Sequence, residues 1–378
     1  MRTALEAAYA GQKVLVTGHT GFKGAWLSLW LRELRAEVSG LALPPATVPN
    51  LFSILGLAGD LDHAIGDVRD ADTVRRRVET VKPDIIFHLA ARALVRPAYD
   101  DPVSTFATNV MGTTHLLEAV REIARPVAVL VVTSDKSYQQ HAADGSAGRF
   151  REDDRLGGAE PYSASKAAAE MVVEAYRQSY FPPDRLNGHG VSLAVARAGN
   201  VLGGGDWAKD RIVADLAAAV TRDEPLMVRH PDAIRPWQHV LDALAGYLWL
   251  GAGLMGERAA VLAEAWNFGP TDDAVWSVED LVTRALELWG KGSWQQAPQS
   301  AAPRETVCLQ LDSSKAAAGL GWRPVWDMET VLSRTVDWYR RHAGGDDMRF
   351  VSLDQIQQHT LTAAAAGRPW AAVQGEAA

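Results

Sequence analysis

An apolar triplet that stops on a glycine loop and resumes as a helix constrains this chain more than any other feature. Val14-Leu15-Val16 is short and uninterrupted, as a strand buried on both faces must be. It ends at Thr17-Gly18, and from Gly21 to Arg35 apolar residues recur at helical spacing: Phe22, Trp26, Leu27, Trp30, Leu31, Leu34. The alternation then repeats. Strands are expected over 38–43, 63–65, 85–90, 127–133 and 192–198. Helices are expected over 70–81, through Asn109 and His115 to Glu122, and over 162–180. A helix between two strands brings the chain back to start the next strand in the same direction, so the sheet is parallel and covered on both faces.

The fold class expected is therefore α/β, a Rossmann-type doubly wound parallel sheet with a smaller C-terminal α/β substrate lobe. The texture changes after Gly203-Gly204-Gly205, beyond which lie 11 of the 13 tryptophans. This reads as the lobe, set over the carboxyl ends of the strands where open α/β sheets bind ligands. The division expected is 1–190 for the nucleotide-binding domain, with part of 236–270 returning to it, and 191–361 mainly for the lobe. An Ala- and Gly-rich tail over 362–378 is expected to fray.

Composition removes several function classes. A net charge of −8 argues against nucleic-acid binding, which needs a basic face. The single cysteine, Cys308, allows neither an intrachain disulfide nor a zinc cluster, and is expected to pack as a small apolar side chain. No apolar run reaches about 18 residues and Met1 to Ala10 has no apolar signal core, so no membrane span, no metal and a cytoplasmic location are expected.

Three clusters carry chemistry. In Thr17-Gly18-His19-Thr20-Gly21-Phe22-Lys23-Gly24 the glycines let the backbone turn tightly and approach a pyrophosphate, whose charge is favoured at a helix N-terminus. Tyr162 and Lys166 stand four apart at a helix start, on one face, where the ammonium favours a phenolate able to take a hydroxyl proton. The fifth strand ends in Ser134-Asp135-Lys136, a hydroxyl able to bond a substrate hydroxyl, then an acid beside a base. Lysine must lose its proton to act as a base and aspartate must hold one to act as an acid, so the two are expected to titrate as a unit.

The glycines three apart twice, followed by Tyr162 and Lys166, resemble the extended short-chain dehydrogenase/reductase family. The resemblance implies NAD as cofactor, held by Gly18, Thr20, Gly21, Phe22, Lys23 and Gly24, by Asp67 and Val68 at the adenine, by Leu89, Ala90 and Ala91, and by Tyr162 and Lys166. That family often ends its second strand with an acidic residue for the ribose. Here Leu41-Ala42-Leu43-Pro44 offers neither a carboxylate nor a nearby arginine, and this pocket alone does not choose between NAD and NADP. Ser134-Asp135-Lys136 and the string Gly199 to Ala208 resemble the branch that dehydrates sugar nucleotides, in particular CDP-glucose. That likeness implies catalysis by Ser134, Asp135, Lys136, Tyr162 and Lys166, with Asn200, Arg211 and Arg235 near the diphosphate. Arg92 and Arg96 would reach the sugar or brace their loop. The product implied is CDP-4-keto-6-deoxyglucose, and the assembly a homodimer or dimer of dimers. A dehydratase for another nucleotide-glucose remains open, as does a nucleotide-sugar 4-epimerase, which shares the Tyr and Lys but has no need of Asp135-Lys136. A non-catalytic dinucleotide sensor could dispense with Tyr162 and Lys166.

Overall fold

The computed structural model describes residues 2–123, 125–139, 149–271, 274–298 and 309–373. Cys308 lies outside the described residues. The chain runs β1 (Lys13–Thr17), α1 (Phe22–Glu33), β2 (Glu37–Ala42), β3 (Asp62–Ile65), α2 (Ala71–Val81), β4 (Ile85–His88), α3 (Gly112–Glu122), β5 (Val127–Val132), α4 (Pro161–Ser179) and β6 (Val191–Ala198). It continues through β7 (Asn200–Leu202), β8 (Ile234–His239), α5 (Val240–Leu254), β9 (Ala265–Phe268), β10 (Val275–Ser277), α6 (Met328–Ala343) and α7 (Met348–Ala365).

Seven strands form one sheet in the order β9-β6-β5-β4-β1-β2-β3, every neighbouring pair parallel. All residues of β4, β5 and β6 are buried, as in a sheet with helices on both faces. From β1 the chain winds outward to β3, then crosses back to β4 on the other side of β1. The topological switch point therefore lies between β1 and β4, where ligands of such sheets bind.

Helix α1 is buried continuously from Gly24 to Leu31, so it belongs to the core rather than the surface. The start of α4 is fixed by Glu160, whose carboxylate accepts from the Tyr162 and Ser163 backbone N–H groups at 2.7 and 2.8 Å, and by Pro161 in the first turn. Beyond β6, Gly199 leads straight into β7, which pairs in parallel with β8, and β8 pairs antiparallel with β10.

Two expectations need correction. A cut at residue 190 falls inside the sheet domain, because β6 is a full-length internal strand; β9, which extends the sheet beyond it, lies in the 236–270 segment expected to return. The tail residues 362–373 are also ordered, and 374–378 lie outside the described residues. Trp370 is fully buried, stacked on His359 at 5.6 Å and edge-on to Trp30 at 6.0 Å, and the Ala4 N–H donates to the Ala372 carbonyl at 2.9 Å. One tryptophan anchors a segment whose average composition reads as loose.

Candidate active site

Glycines make the switch point possible, each in its own way. Gly18 has φ +77°, and a Cβ there would stand 2.7 Å from the Ala90 nitrogen and 2.9 Å from the Leu89 carbonyl carbon. The loops after β1 and β4 touch only because nothing projects between them. A Cβ on Gly24 would collide with the Gly18 carbonyl oxygen, preventing α1 from seating on the loop. Gly21 differs, since its Cβ would meet only the Gly18 oxygen, at 3.4 Å, and otherwise open space. As N-cap of α1, Gly21 offers no side-chain cap, so the first-turn N–H groups of Phe22, Lys23 and Gly24 are available to an anion.

The surrounding loops are tied down. Thr20 Oγ1 donates to the Leu43 carbonyl at 2.9 Å, and the Ala90 N–H, just before Ala91, donates to Thr17 Oγ1 at 3.2 Å. Asp67 accepts from the Arg69 backbone at 2.9 Å and from its guanidinium Nε at 2.8 Å, while Val68 packs on Gly112 and its carbonyl meets His115 at 3.0 Å.

The catalytic candidates gather where β5 ends. Ser134 caps a single turn, Asp135–Ser137, with its Oγ donating to Asp135 Oδ1 at 2.8 Å and accepting from the Lys136 N–H at 3.2 Å. Asp135 is 3% exposed, and its Oδ2 would lie 3.2 Å from a Cβ on Gly199. The missing side chain at Gly199 thus leaves room for the carboxyl. Among the described residues Asp135 and Lys136 form no ion pair with each other, and Lys136 is half-buried.

Tyr162 and Lys166 are both buried on α4. Burial pushes the Tyr162 phenol up to about 12, against the opposing influence of Ser134. Burial, then the Lys23 charge, brings Lys166 down to about 8. Its ammonium donates one bond, to the Val132 carbonyl at 3.1 Å, rather than bonding the phenol. An open glycine, an uncapped helix start and an ammonium with donors to spare fit a dinucleotide, with pyrophosphate at α1 and ribose hydroxyls at Lys166.

Lys23 is the residue whose destination the sequence leaves hidden. Its backbone belongs to the glycine loop, but its ammonium lies 5.9 Å over the Tyr247 ring and feels the charges of Arg211, Asp135 and Asp206. Burial, then Arg211, lowers it to about 8. A lysine in the first turn of an otherwise buried helix is the signal that could have found it. The Tyr247 hydroxyl is fully buried and has no hydrogen-bond partner.

On the substrate side, Arg211 pairs with Asp206 at 3.2 Å and precedes the helix Ile212–Arg222. Asp210, at φ +66°, stands between Arg229 at 2.6 Å and Arg96 at 3.9 Å. Arg229 was not singled out in the sequence, where it sits in no motif. Asn200 opens β7 in register with Trp237, and Arg235 lies on β8 opposite Trp276. Arg92 is held within its own loop, its N–H donating to Asn109 Oδ1 at 2.8 Å and its guanidinium 3.3 Å from Asp101. Among the described residues no group of three or more His, Cys, Asp or Glu could hold a metal, and no helix is long and apolar enough to cross a membrane.

Against known proteins, the family model described as GDP-mannose 4,6 dehydratase matches residues 15–335. The CDP-glucose 4,6-dehydratase of Salmonella typhimurium is 45% identical over 93% of this chain and 97% of its own. The fold is that of DesIV, a dTDP-glucose 4,6-dehydratase from Streptomyces venezuelae solved with NAD bound (TM-score 0.71, 24% identity, 88% of this chain and 98% of that one). It is equally that of a UDP-glucose 4-epimerase from Thermotoga maritima (TM-score 0.72, 23% identity, 87% and 99%). Backbone likeness therefore does not separate dehydration from epimerisation, and side chains must.

Proposed function

The chain belongs to the family described as GDP-mannose 4,6 dehydratase, and from that premise we propose that it is an NAD-dependent lyase converting CDP-glucose to CDP-4-keto-6-deoxyglucose. The observation that carries the choice of reaction is the buried Asp135, with Lys136 beside it, on the strand end that faces Tyr162. An epimerase needs the phenol alone. Elimination across C5 and C6 needs both an acid and a base.

NAD, held by the glycine loop at α1 and by Lys166, would supply the hydride acceptor for C4 oxidation and the hydride donor for C6 reduction. The residues of the chain handle the protons. Tyr162 takes the proton of the 4-hydroxyl, and Arg211 is among the charges that favour its phenolate. The resulting ketone acidifies the neighbouring C5–H, which Lys136 removes, and Asp135 protonates the 6-hydroxyl so that it leaves as water; Lys136 then returns its proton to C5 as C6 is reduced. Asn200, Arg211 and Arg235 line the diphosphate, where forked guanidinium donors match phosphate oxygens. The nucleotide base follows the relative from Salmonella typhimurium, a CDP-glucose 4,6-dehydratase.

The deciding experiment is incubation with CDP-glucose, then alkali, under which a 4-keto sugar enolises and absorbs in the ultraviolet. Absence of that absorbance overturns the assignment, and interconversion of 4-epimers would replace it. Lys136→Met and Asp135→Asn should each lower kcat by roughly 10²–10⁴. Full turnover by Lys136→Met removes lysine from the role of base.

The chain is further read as cytoplasmic and as a homodimer, the smaller of the two assemblies that the resemblance implies. Tyr99, Val103, Phe106, Met111 and Met171 expose apolar surface on the segment 95–111 and on α4, which pack side by side. Light scattering should give twice the 40.9 kDa chain mass, falling to one chain in Val103→Glu combined with Met171→Glu.

A further inference from the structure

A buried polar network lies behind the Ser134-Asp135-Lys136 turn and holds both of its ends. At the first end, Thr133 Oγ1 donates to Glu170 Oε1 at 2.7 Å. Glu170 is on α4, one turn after Lys166, and it receives the Arg197 guanidinium, whose Nε lies 2.8 Å from Oε2 and 3.1 Å from Oε1. At the second end, Arg197 Nη1 donates to the Tyr138 hydroxyl at 2.6 Å, and the Arg197 guanidinium stacks 4.7 Å over the Tyr138 ring. The Tyr138 hydroxyl donates onward to Asn267 Oδ1 at 2.8 Å, and Asn267 pairs with Arg197 in the register of β9 and β6. Thr133, Tyr138, Glu170, Arg197 and Asn267 are all between 0% and 5% exposed.

We propose that Tyr138 and the Glu170–Arg197 pair are positioning residues for the elimination, fixing the turn so that Asp135 and Lys136 sit against the substrate while Tyr162 is held by the same helix. The energetics point this way. A buried ion pair is often no more stabilising than apolar side chains of the same size, because desolvation offsets the attraction. What it does supply is a single geometry, since any shift leaves a buried charge or hydroxyl unpaired. Here one guanidinium, extending from β6, links Thr133, through the Glu170 carboxylate, to Tyr138. The four residues between, Ser134 to Ser137, are thereby tied at both ends. A displacement near 1 Å at the reacting groups can lower a rate by about 10²-fold without touching the substrate.

The inference rests on the assignment of Asp135 and Lys136 to elimination, and the two can fail separately. The test uses the full chain with NAD and CDP-glucose, comparing wild type with Tyr138→Phe and Thr133→Val, which release opposite ends of the turn. Reactions are quenched with borodeuteride, which reduces any 4-ketone in place. Unreacted intermediate then appears as a hexose labelled at C4, and product as a labelled 6-deoxyhexose. In Tyr138→Phe, Thr133→Val, or whichever of them folds, kcat should fall between about 10- and 100-fold with KM near wild type. The fraction of labelled hexose should rise, because C4 oxidation outruns elimination. Thermal melting and NAD titration should be little changed. Wild-type turnover with no excess of hexose overturns the positioning role. So does a loss of activity that merely follows a loss of folded or NAD-binding protein. A wild-type enzyme that forms no keto sugar overturns the functional assignment itself.

Discussion

Burial holds Lys23 and Lys166 both near 8, below an ordinary lysine, and each is further lowered by a neighbouring cation: Arg211 for Lys23, Lys23 for Lys166. At neutral pH both remain mainly charged, so two ammonium groups share one site with the carboxyl of Asp135. Removing one relieves the other. In Lys23→Met the Lys166 ammonium loses a like charge and its pKa should rise. The alkaline limb of the kcat/KM profile should then move to higher pH, and a limb that stays or moves down contradicts the coupling. The phenol stands differently from what its sequence spacing suggests. Four residues of separation place Tyr162 and Lys166 on one face, but the ammonium turns to the Val132 carbonyl and burial dominates the phenol. Spacing along a helix records a shared face and nothing about which acceptor lies closest to it.

The element that most rewards testing is the loop between β1 and α1. Gly18→Ala forces a side chain into a left-handed backbone and against Ala90, which should cost at least about 1–2 kcal/mol of stability. Gly21→Ala meets only the Gly18 oxygen at ordinary contact distance, so the apoprotein should melt normally. Its methyl instead points where a pyrophosphate would lie, and NAD affinity should fall at least about tenfold. Equal effects of the two substitutions on melting and on NAD titration would refute the distinction. Elements were largely legible because their periods are local. The expected strands 38–43 and 127–133 differ by one residue from Glu37–Ala42 and Val127–Val132. The strand expected to reach residue 90 stops at His88, since Leu89 and Ala90 have already turned beneath Gly18. The helix through Asn109 widens to a π-turn over Ala107–Met111, with the Asn109 side chain bonded to Arg92 and to Ser165 of α4. Neither departure has a local cause in the sequence.

Across the whole molecule, several histidines are locked in neutral form. Burial holds His19 at about 4 and His88 at about 3, and drives His239 well below its usual value. Below pH 6.5 the unfolded chain therefore binds protons that the folded chain refuses, and stability falls as pH falls. Each such histidine contributes a slope of about 1.4 kcal/mol per pH unit until its folded pKa is reached, at about 4 for His19 and 3 for His88. Calorimetry should show Tm dropping steadily from pH 6.5 to 4.5, and a flat Tm would show that these imidazoles are not buried neutral. What the sequence settled unaided was the succession of strands and helices, the glycine loop, and the Tyr162–Lys166 and Ser134-Asp135-Lys136 groupings. All of these are written within a few residues of one another, where period and turn chemistry act. Folding alone decided which distant groups meet. It set Lys23 near Asp135, Asp210 between Arg96 and Arg229, Arg197 behind the Ser134-Asp135-Lys136 turn, and Trp370 against His359. A sequence period states which face of an element is covered. Only the packed chain states by what, because that depends on strand order and on loops that carry no period at all.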